Sequence, residues 1–271
     1  LASAGGEDAE TLAVAERRIP ALLRHRERAV TAEDYRRLAQ EVPGTEVGRV
    51  DVLPRFKPRE RRFDVPGVVS VMVLPARALG PAPNPRPDRP FIERVHAHLA
   101  ARTPLATECY VIGCEYLALG LSVAVVIRDG FARDAVLFEV REALRRLLWP
   151  LPPLGPTGSG WPLRRPVRER ELEVEVSRVA GVAEVAGLNL FERAQIDGES
   201  TWRLLTRTTV DGSQQLELAP WQLPELLSVQ VIEVAAGSAG GANAAPESLA
   251  ALPNPFADET AVAVPVVPEV C

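Results

Sequence analysis

The sequence predicts an α+β fold: two small α+β modules, each a mixed or antiparallel sheet with helices on one face, plus an extended Ala/Pro-rich C-terminal arm. Two patterns carry that expectation. Elements run α-β-β-α-β up to about residue 114 and β-α-α-β-β up to about 234, so strands come in runs and not in the strict alternation of a parallel, doubly wound sheet. Beyond 235 the chain becomes AAGSAGGANAAPESLAALPNPF and loses every periodic apolar stripe, a composition that buries no core of its own. The expected divisions are an N-terminal helix and linker at 1–27, a first module at 28–114, a second at 115–234 and an extended acidic arm at 235–271. An arm of this kind is expected to lie along a partner.

Helical spacing appears first over DAETLAVAERRIPALLRHR, where Leu12, Ala15, Ile19, Leu22 and Leu23 share a face. Pro20 is placed to end or kink that helix. In AVTAEDYRRLAQEVPG, Thr31 stands at a cap with Asp34 three residues on, and Pro43-Gly44 is the stop. Tyr35, Leu38, Ala39 and Val42 form its apolar stripe. Strands follow at 46–53 and 67–75, with a Pro- and Arg-rich loop between them. Pro81, Pro83, Pro85, Pro87 and Pro90 break the chain before the helix FIERVHAHLAAR, which turns Ile92, Val95 and Leu99 inward.

The cleanest alternation is EYLALGLSVAVVIRDG. Leu117, Leu119, Leu121, Val123, Val125 and Ile127 point one way; Ala118, Gly120, Ser122 and Ala124 point the other and leave room for a close neighbour. Asp129-Gly130 turns the chain into an amphipathic helix at 133–149, built on Val136, Leu137, Val140, Leu144, Leu147 and Leu148. In PVRERELEVEVSRVAGV the alternation of Leu172, Val174 and Val176 reads as strand, but the density of Arg and Glu favours a helix that Gly181 stops. Strands at 182–191 and 223–234 complete the second module, separated by a polar insertion with DGES and DGSQ turns.

Composition narrows the function. Hydrophobic residues at 46% and charged residues at 25% suit an ordinary folded core, and no run of about eighteen apolar residues exists to cross a membrane. No direct membrane insertion is expected. The chain opens LASAGGEDAE, without an initiator methionine, and is expected to be a piece of something longer. Cys109, Cys114 and Cys271 cannot all pair and form no CxxC, which points to a reduced, cytosolic history. Every basic residue lies at or before Arg207, so the end of the chain is acidic throughout. A nucleic-acid partner is not expected, because positive charge is not concentrated. The densest basic run, RFKPRERR at 55–62, is broken by Glu60 and reads as a solvated loop, with a nucleic-acid-binding module as the alternative.

The stretch GPTGSGWPLRRPV, residues 155–167, has the look of a phosphate loop. A P-loop needs GxxxxGK[ST], and a dinucleotide fingerprint needs GxGxxG between strand and helix. Here there is no lysine, Trp161-Pro162 follows the glycines, and a helix precedes them. A rigid connector is the preferred reading, fixed by Pro150, Pro152, Pro153, Pro156 and Pro162. A nucleotide-binding enzyme using 155–160 is the alternative. The histidines are His25, His96 and His98; positions 96 and 98 lie about 160° apart on a helix and are badly placed to share a metal. No GxSxG elbow occurs, and the acid pair Glu33-Asp34 sits at a helix start, where the macrodipole already favours it. No catalytic residue, cofactor or metal is expected. Arg164, Arg165 and Arg168 are the candidate interaction residues, and any acids they meet are expected on an adjoining subunit. Trp161 is expected to anchor the loop to the second module.

The order of motifs resembles the segment shared by J-like baseplate proteins of contractile phage tails and related injection systems. Gly5, Gly6, Asp8, Glu10 and Thr11 match that family's Gly-Gly-x-Asp-x-Glu-Thr run, and Val30, Thr31, Asp34 and Tyr35 match its Val-Thr-x-x-Asp-Tyr cap. PGVVSVMVLP, PLATECYVIGCEYLALGLSVAVVIRDGF and GSGWPLRRPV follow in the family's order, so the resemblance covers residue 4 to about 192. The proline-rich 81–90 loop, the insertion near 192–215 and the arm depart from it. The resemblance implies a structural wedge component without enzymatic activity or cofactor, present in multiple copies in sixfold arrangement. It implies partners among other wedge proteins, hub or spike subunits and sheath or tube-initiating subunits. It also implies assembly in the bacterial cytoplasm into a tail or tail-like particle, with coupling of baseplate change to sheath contraction.

Overall fold

A computed structural model of the chain describes residues 26–77, 84–196, 199–207 and 212–236, together with single positions between 11 and 23. The glycine-rich motif at 5–10, Pro20, Leu22, His25, Pro81, Pro83 and the arm from 237 lie outside the described residues. Of the first expected helix, Leu12, Ile19 and Leu23 are helical but exposed.

Helix α1 (Ala32–Gln40) begins with a reciprocal cap. Asp34 N donates to the Thr31 hydroxyl at 3.2 Å, and Thr31 N donates back to the Asp34 carboxylate at 2.7 Å, which satisfies two N–H groups the helix leaves open. Tyr35, Leu38, Ala39 and Val42 are buried as their spacing predicts. Strands β1 (Val47–Pro54), β2 (Val68–Pro75) and β3 (Glu108–Ile112) form one sheet in that order, antiparallel then parallel. Helix α2 (Arg89–Ala100) links β2 to β3. Pro90, expected ahead of this helix, lies inside its first turn, where a missing N–H loses nothing; Asp88 is the cap.

Side chains alternate along a strand, and both faces of this sheet are buried. Val71, Val73, Cys109 and Val111 meet α1 and α2 in one core. Leu53, Met72, Leu74, Tyr110 and Ile112 face the other way, into a core shared with the second sheet.

That second sheet is built on β4 (Glu115–Ile127). Helix α3 (Arg133–Leu148), the two-residue strand β5 (Val167–Arg168) and α4 (Glu169–Ser177) come next. Then follow β6 (Val182–Ile196), β7 (Glu199–Leu204), β8 (Gln215–Leu216) and β9 (Gln222–Glu233). The order is β7-β6-β4-β9, with β6 antiparallel and β9 parallel to β4. Leu119, Leu121, Val123 and Val125 pack with Val140 and Leu144 of α3 and Leu172 of α4. The fold is α+β, with helices and mixed sheets.

Two details differ from the sequence pattern. The strand expected at 182–191 runs to Ile196, and the polar insertion contains β7, which pairs back on β6 from Phe191↔Leu204 to Ile196↔Glu199. Polar residues such as Glu199, Ser200 and Thr201 hid the hairpin, most of which lies past the last pairing of β6 with β4, Leu119↔Glu192. The small-residue face of β4 is also buried at its centre, at Ser122 and Ala124.

Leu121 is fully buried, and Leu121→Ala is expected to lower unfolding free energy by about 3 kcal/mol through lost contact and a residual cavity. Thr31→Ala removes half of one cap and is expected to cost about 1 kcal/mol. Urea unfolding followed by circular dichroism checks both values and their order.

Candidate functional site: the joint between the sheets

The glycine-rich stretch closes on itself. Gly155 N donates to Arg146 O at 2.9 Å, Gly158 N to Gly155 O at 3.3 Å, Gly160 N to Leu154 O at 2.7 Å, and Trp161 N to Trp149 O at 2.8 Å. Gly155, Gly158 and Gly160 all have positive φ, the region glycine enters without steric penalty. A methyl group on Gly160 would overlap the Pro150 carbonyl, and one on Gly155 would overlap the backbone of Gly160. A phosphate cradle needs free, convergent amides; here each of these four is already bonded within the loop or to α3 and its end. Trp161 is fully buried in the shared core, and its indole N–H donates to Arg165 O at 3.0 Å.

The first sheet grips this loop through one side chain. A bulge at Gly48 shifts the register of β1 against β2, and Arg49 follows it. The Arg49 guanidinium donates to Pro150 O at 2.6 Å and to Trp161 O at 2.7 Å, while its Nε pairs with Asp51 at 2.6 Å. Arg49 is only 8% exposed, so burial is offset by a carboxylate and two carbonyls. Beside it a groove of about 420 Å³ runs between Gly48–Asp51 of β1 and Pro152, Ser159 and Pro162 of the loop.

Further links bridge the same boundary. Asn84 Nδ2 donates to Pro224 O at 3.3 Å, and Arg86 pairs with the buried Glu225 at 2.6 Å while lying over the Tyr116 ring. Tyr116 donates its hydroxyl to Pro85 O at 2.8 Å. Burial raises the pKa of the Glu225 carboxyl against the lowering effect of Arg86, and burial likewise raises that of Tyr116. On the other side, Phe56 stacks on Trp221 with ring centres 5.1 Å apart, and Arg61 pairs with Glu115 at 3.0 Å. Glu115 also accepts from Trp221 and Gln222.

The candidate arginines divide. Arg165 pairs with Glu171 at 2.5 Å in its own chain and lies over Trp161, so the expectation that its acid belongs to an adjoining subunit is corrected. The loop folds back onto α4 and brings Glu171 within reach. Arg164 lies over the Phe63 ring, 5.3 Å from its centre, and Arg168 donates to Gln215 at 3.1 Å. The basic run at 55–62 forms a hairpin loop in which four of the five basic residues meet acids of the same chain: Arg55 with Asp64, Lys57 and Arg62 with Glu60, and Arg61 with Glu115.

Among the described residues no group of His, Cys, Asp and Glu is placed to hold a metal, and no described helix is long and apolar enough to cross a membrane. His96 and His98 have pKa values lowered by burial. The Cys109 thiol is pushed up to about 11 by burial, and that of Cys114 is raised further for the same reason; neither has the lowered pKa of a nucleophile. The long-range joint residues Arg49, Arg86, Glu115, Trp221 and Glu225 were missed in the sequence. A signal existed for Arg49 and Asp51, two charges on the strand face that also carries Leu53. None existed for Glu225, whose partner is distant in the chain.

Arg49→Met removes the donor to two buried carbonyls and is expected to cost about 3 kcal/mol, read as a lower urea midpoint. Gly160→Ala is expected to cost at least about 2 kcal/mol, because its backbone conformation and the Pro150 carbonyl both exclude a side chain. Calorimetric titration with ATP and NAD is expected to give no heat of binding, since the amides of Gly155, Gly158, Gly160 and Trp161 are occupied; micromolar affinity would restore the nucleotide reading.

No protein-family model matches the sequence, and no curated protein does. The fold is similar to that of a chain in the cryo-EM structure of the anti-feeding prophage (AFP) baseplate, 6-fold symmetrised, with a TM-score of 0.56 and 19% sequence identity. The likeness covers 84% of this chain and 43% of that one, so the chain spans less than half the length of the baseplate protein whose fold it shares.

Proposed function

We propose that this chain is a structural, non-enzymatic component of the baseplate of a contractile tail or injection system. One coincidence carries the reading. The motifs that resemble J-like baseplate proteins, from the Thr31 cap through the strands to GSGWPLRRPV, lie on a fold shared with a chain of the AFP baseplate. In this reading the chain is a wedge subunit, present in multiple copies around a sixfold axis. Its partners are other wedge proteins, hub or spike subunits, and sheath or tube-initiating subunits, in a particle assembled in the bacterial cytoplasm.

Residues 28–114 and 115–234 act as two modules, and the joint couples them. Displacement of one sheet is transmitted to the other through Arg49, Arg86 and the Phe56–Trp221 stack, because a close-packed boundary passes on strain without yielding. Arg164 and Arg168 sit at the edge of the joint and are the arginines proposed to reach a neighbouring subunit; Arg165 serves the loop itself.

Deletion of the chain is expected to leave tubes and sheaths without assembled baseplates in electron micrographs of particle preparations. Complementation with Arg49→Met is expected to give baseplates that assemble poorly or fail to trigger sheath contraction. Normal, contractile particles from the deletion strain would remove the structural reading.

A further inference from the structure

Strand β1 is an edge of its sheet and pairs with β2 alone. Just beyond its two ends, Arg55 N donates to Val68 O at 2.8 Å and Ala76 N to Glu46 O at 2.9 Å. Bonded pairs alternate along an antiparallel ladder, so Arg49, Asp51 and Leu53 turn their backbone groups toward Leu74, Met72 and Ser70. Val50 and Val52 turn theirs outward, where they have no hydrogen-bond partner among the described residues.

Open N–H and C=O groups on an edge invite another strand, and folded chains usually blunt them. Here the blunting is confined to the ends: a bulge between Val47 and Arg49, and Pro54, which has no N–H to offer. Between them the edge opens on the groove of about 420 Å³, lined by Gly48–Asp51 and, across from them, by Pro152, Pro162 and Leu163. Arg49 lines it too. That side chain spends Nη1 on the carbonyls of Pro150 and Trp161 and Nε on Asp51. Its Nη2 has no bond among the described residues, although the residue is only 8% exposed, and a buried donor is seldom left unused.

We propose that this edge takes up an extended, uncharged segment of another protein as a fourth strand. Val50 and Val52 present their donors and acceptors about 7 Å apart, the repeat at which an extended backbone presents its own. Arg49 and Asp51 cancel each other's charge, so an acidic or basic segment gains nothing there, while the spare N–H groups of Arg49 match a neutral carbonyl. Pro152, Pro162 and Leu163 favour small apolar side chains above it. The loop is the far wall, so the space suits one segment and not the edge of a second sheet. Main-chain bonds give such strand addition its affinity, and the wall gives it selectivity. The site follows from the sheet edge alone and does not depend on the baseplate reading.

Amide exchange and NMR titration of the full chain test this. In the chain alone, the amides of Val50 and Val52 are expected to exchange much faster than those of Asp51 and Leu53. Protected Val50 and Val52 amides would overturn the proposal, because the edge would already be filled; protection that grows with protein concentration would give it to a second copy. The probe is the capped peptide acetyl-Ala-Val-Ala-Val-Ala-amide, expected to bind with millimolar affinity and to shift the Val50 and Val52 amide signals to saturation. The same peptide N-methylated on two adjacent residues, which blocks both of its edges, is expected to bind about tenfold more weakly. Val52→Pro removes an edge donor but no ladder bond, and is expected to fold and to weaken binding to a similar degree. The methylated peptide decides if that variant fails to fold. Equal binding of the two peptides, or no saturable shift at Val50 and Val52, would overturn the proposal.

Discussion

A single buried guanidinium sets the relation between the two sheets. Arg49 is held by Asp51 on its own strand and donates to the carbonyls of Pro150 and Trp161, far along the chain. A charge taken out of water must be met by well-placed partners or the fold loses stability. The carbonyls it needs come from a loop that can present them only because Gly155 and Gly160 let it close tightly. Glycine content, loop shape and the position of Arg49 are therefore one constraint seen from three places.

Around that constraint the boundary is continuous. Leu53, Met72 and Ile112 of the first sheet share a core with Leu121, Leu144, Trp161 and Leu172 of the second. Polar links at either end, Arg86 with Glu225 and Arg61 with Glu115, fix how that apolar contact is oriented. The latter is half-exposed and contributes little by itself; its value is geometric. Such a boundary behaves as a stiff coupling, which suits the proposed role in a machine that passes a conformational change from one set of contacts to another.

Much of the architecture is written in the sequence. The Thr31–Asp34 cap, the stripe of α1, the alternation of β4 and the apolar face of α3 each follow from a local pattern, because each buries one face against a neighbour. Less local features were illegible. The β6–β7 hairpin lies beyond the last β4–β6 pairing, Leu119↔Glu192, and its sequence shows no apolar alternation. Pro90 looked like a breaker and proved to be a first-turn residue. At the joint, the glycines and prolines of 150–162 announced a rigid connector, and Trp161 its anchor. The bonds that give the connector a purpose pair residues more than a hundred positions apart, as Arg49 does with Pro150. Spacing rules reach a turn of helix or a hairpin and no further. The arginines after the glycines were visible as candidates, yet only the folded loop shows that Arg165 turns back to Glu171.

The central claim is that the joint makes the two sheets one cooperative unit. Native-state hydrogen exchange at low urea concentrations measures this directly, by comparing the opening free energies of amides in β2 with those in β4 and β6. In the unaltered chain the two sets are expected to merge into one global unfolding, and in Arg49→Met they are expected to separate, with β2 opening first. Two distinct opening free energies in the unaltered chain, unchanged by Arg49→Met, would contradict the account.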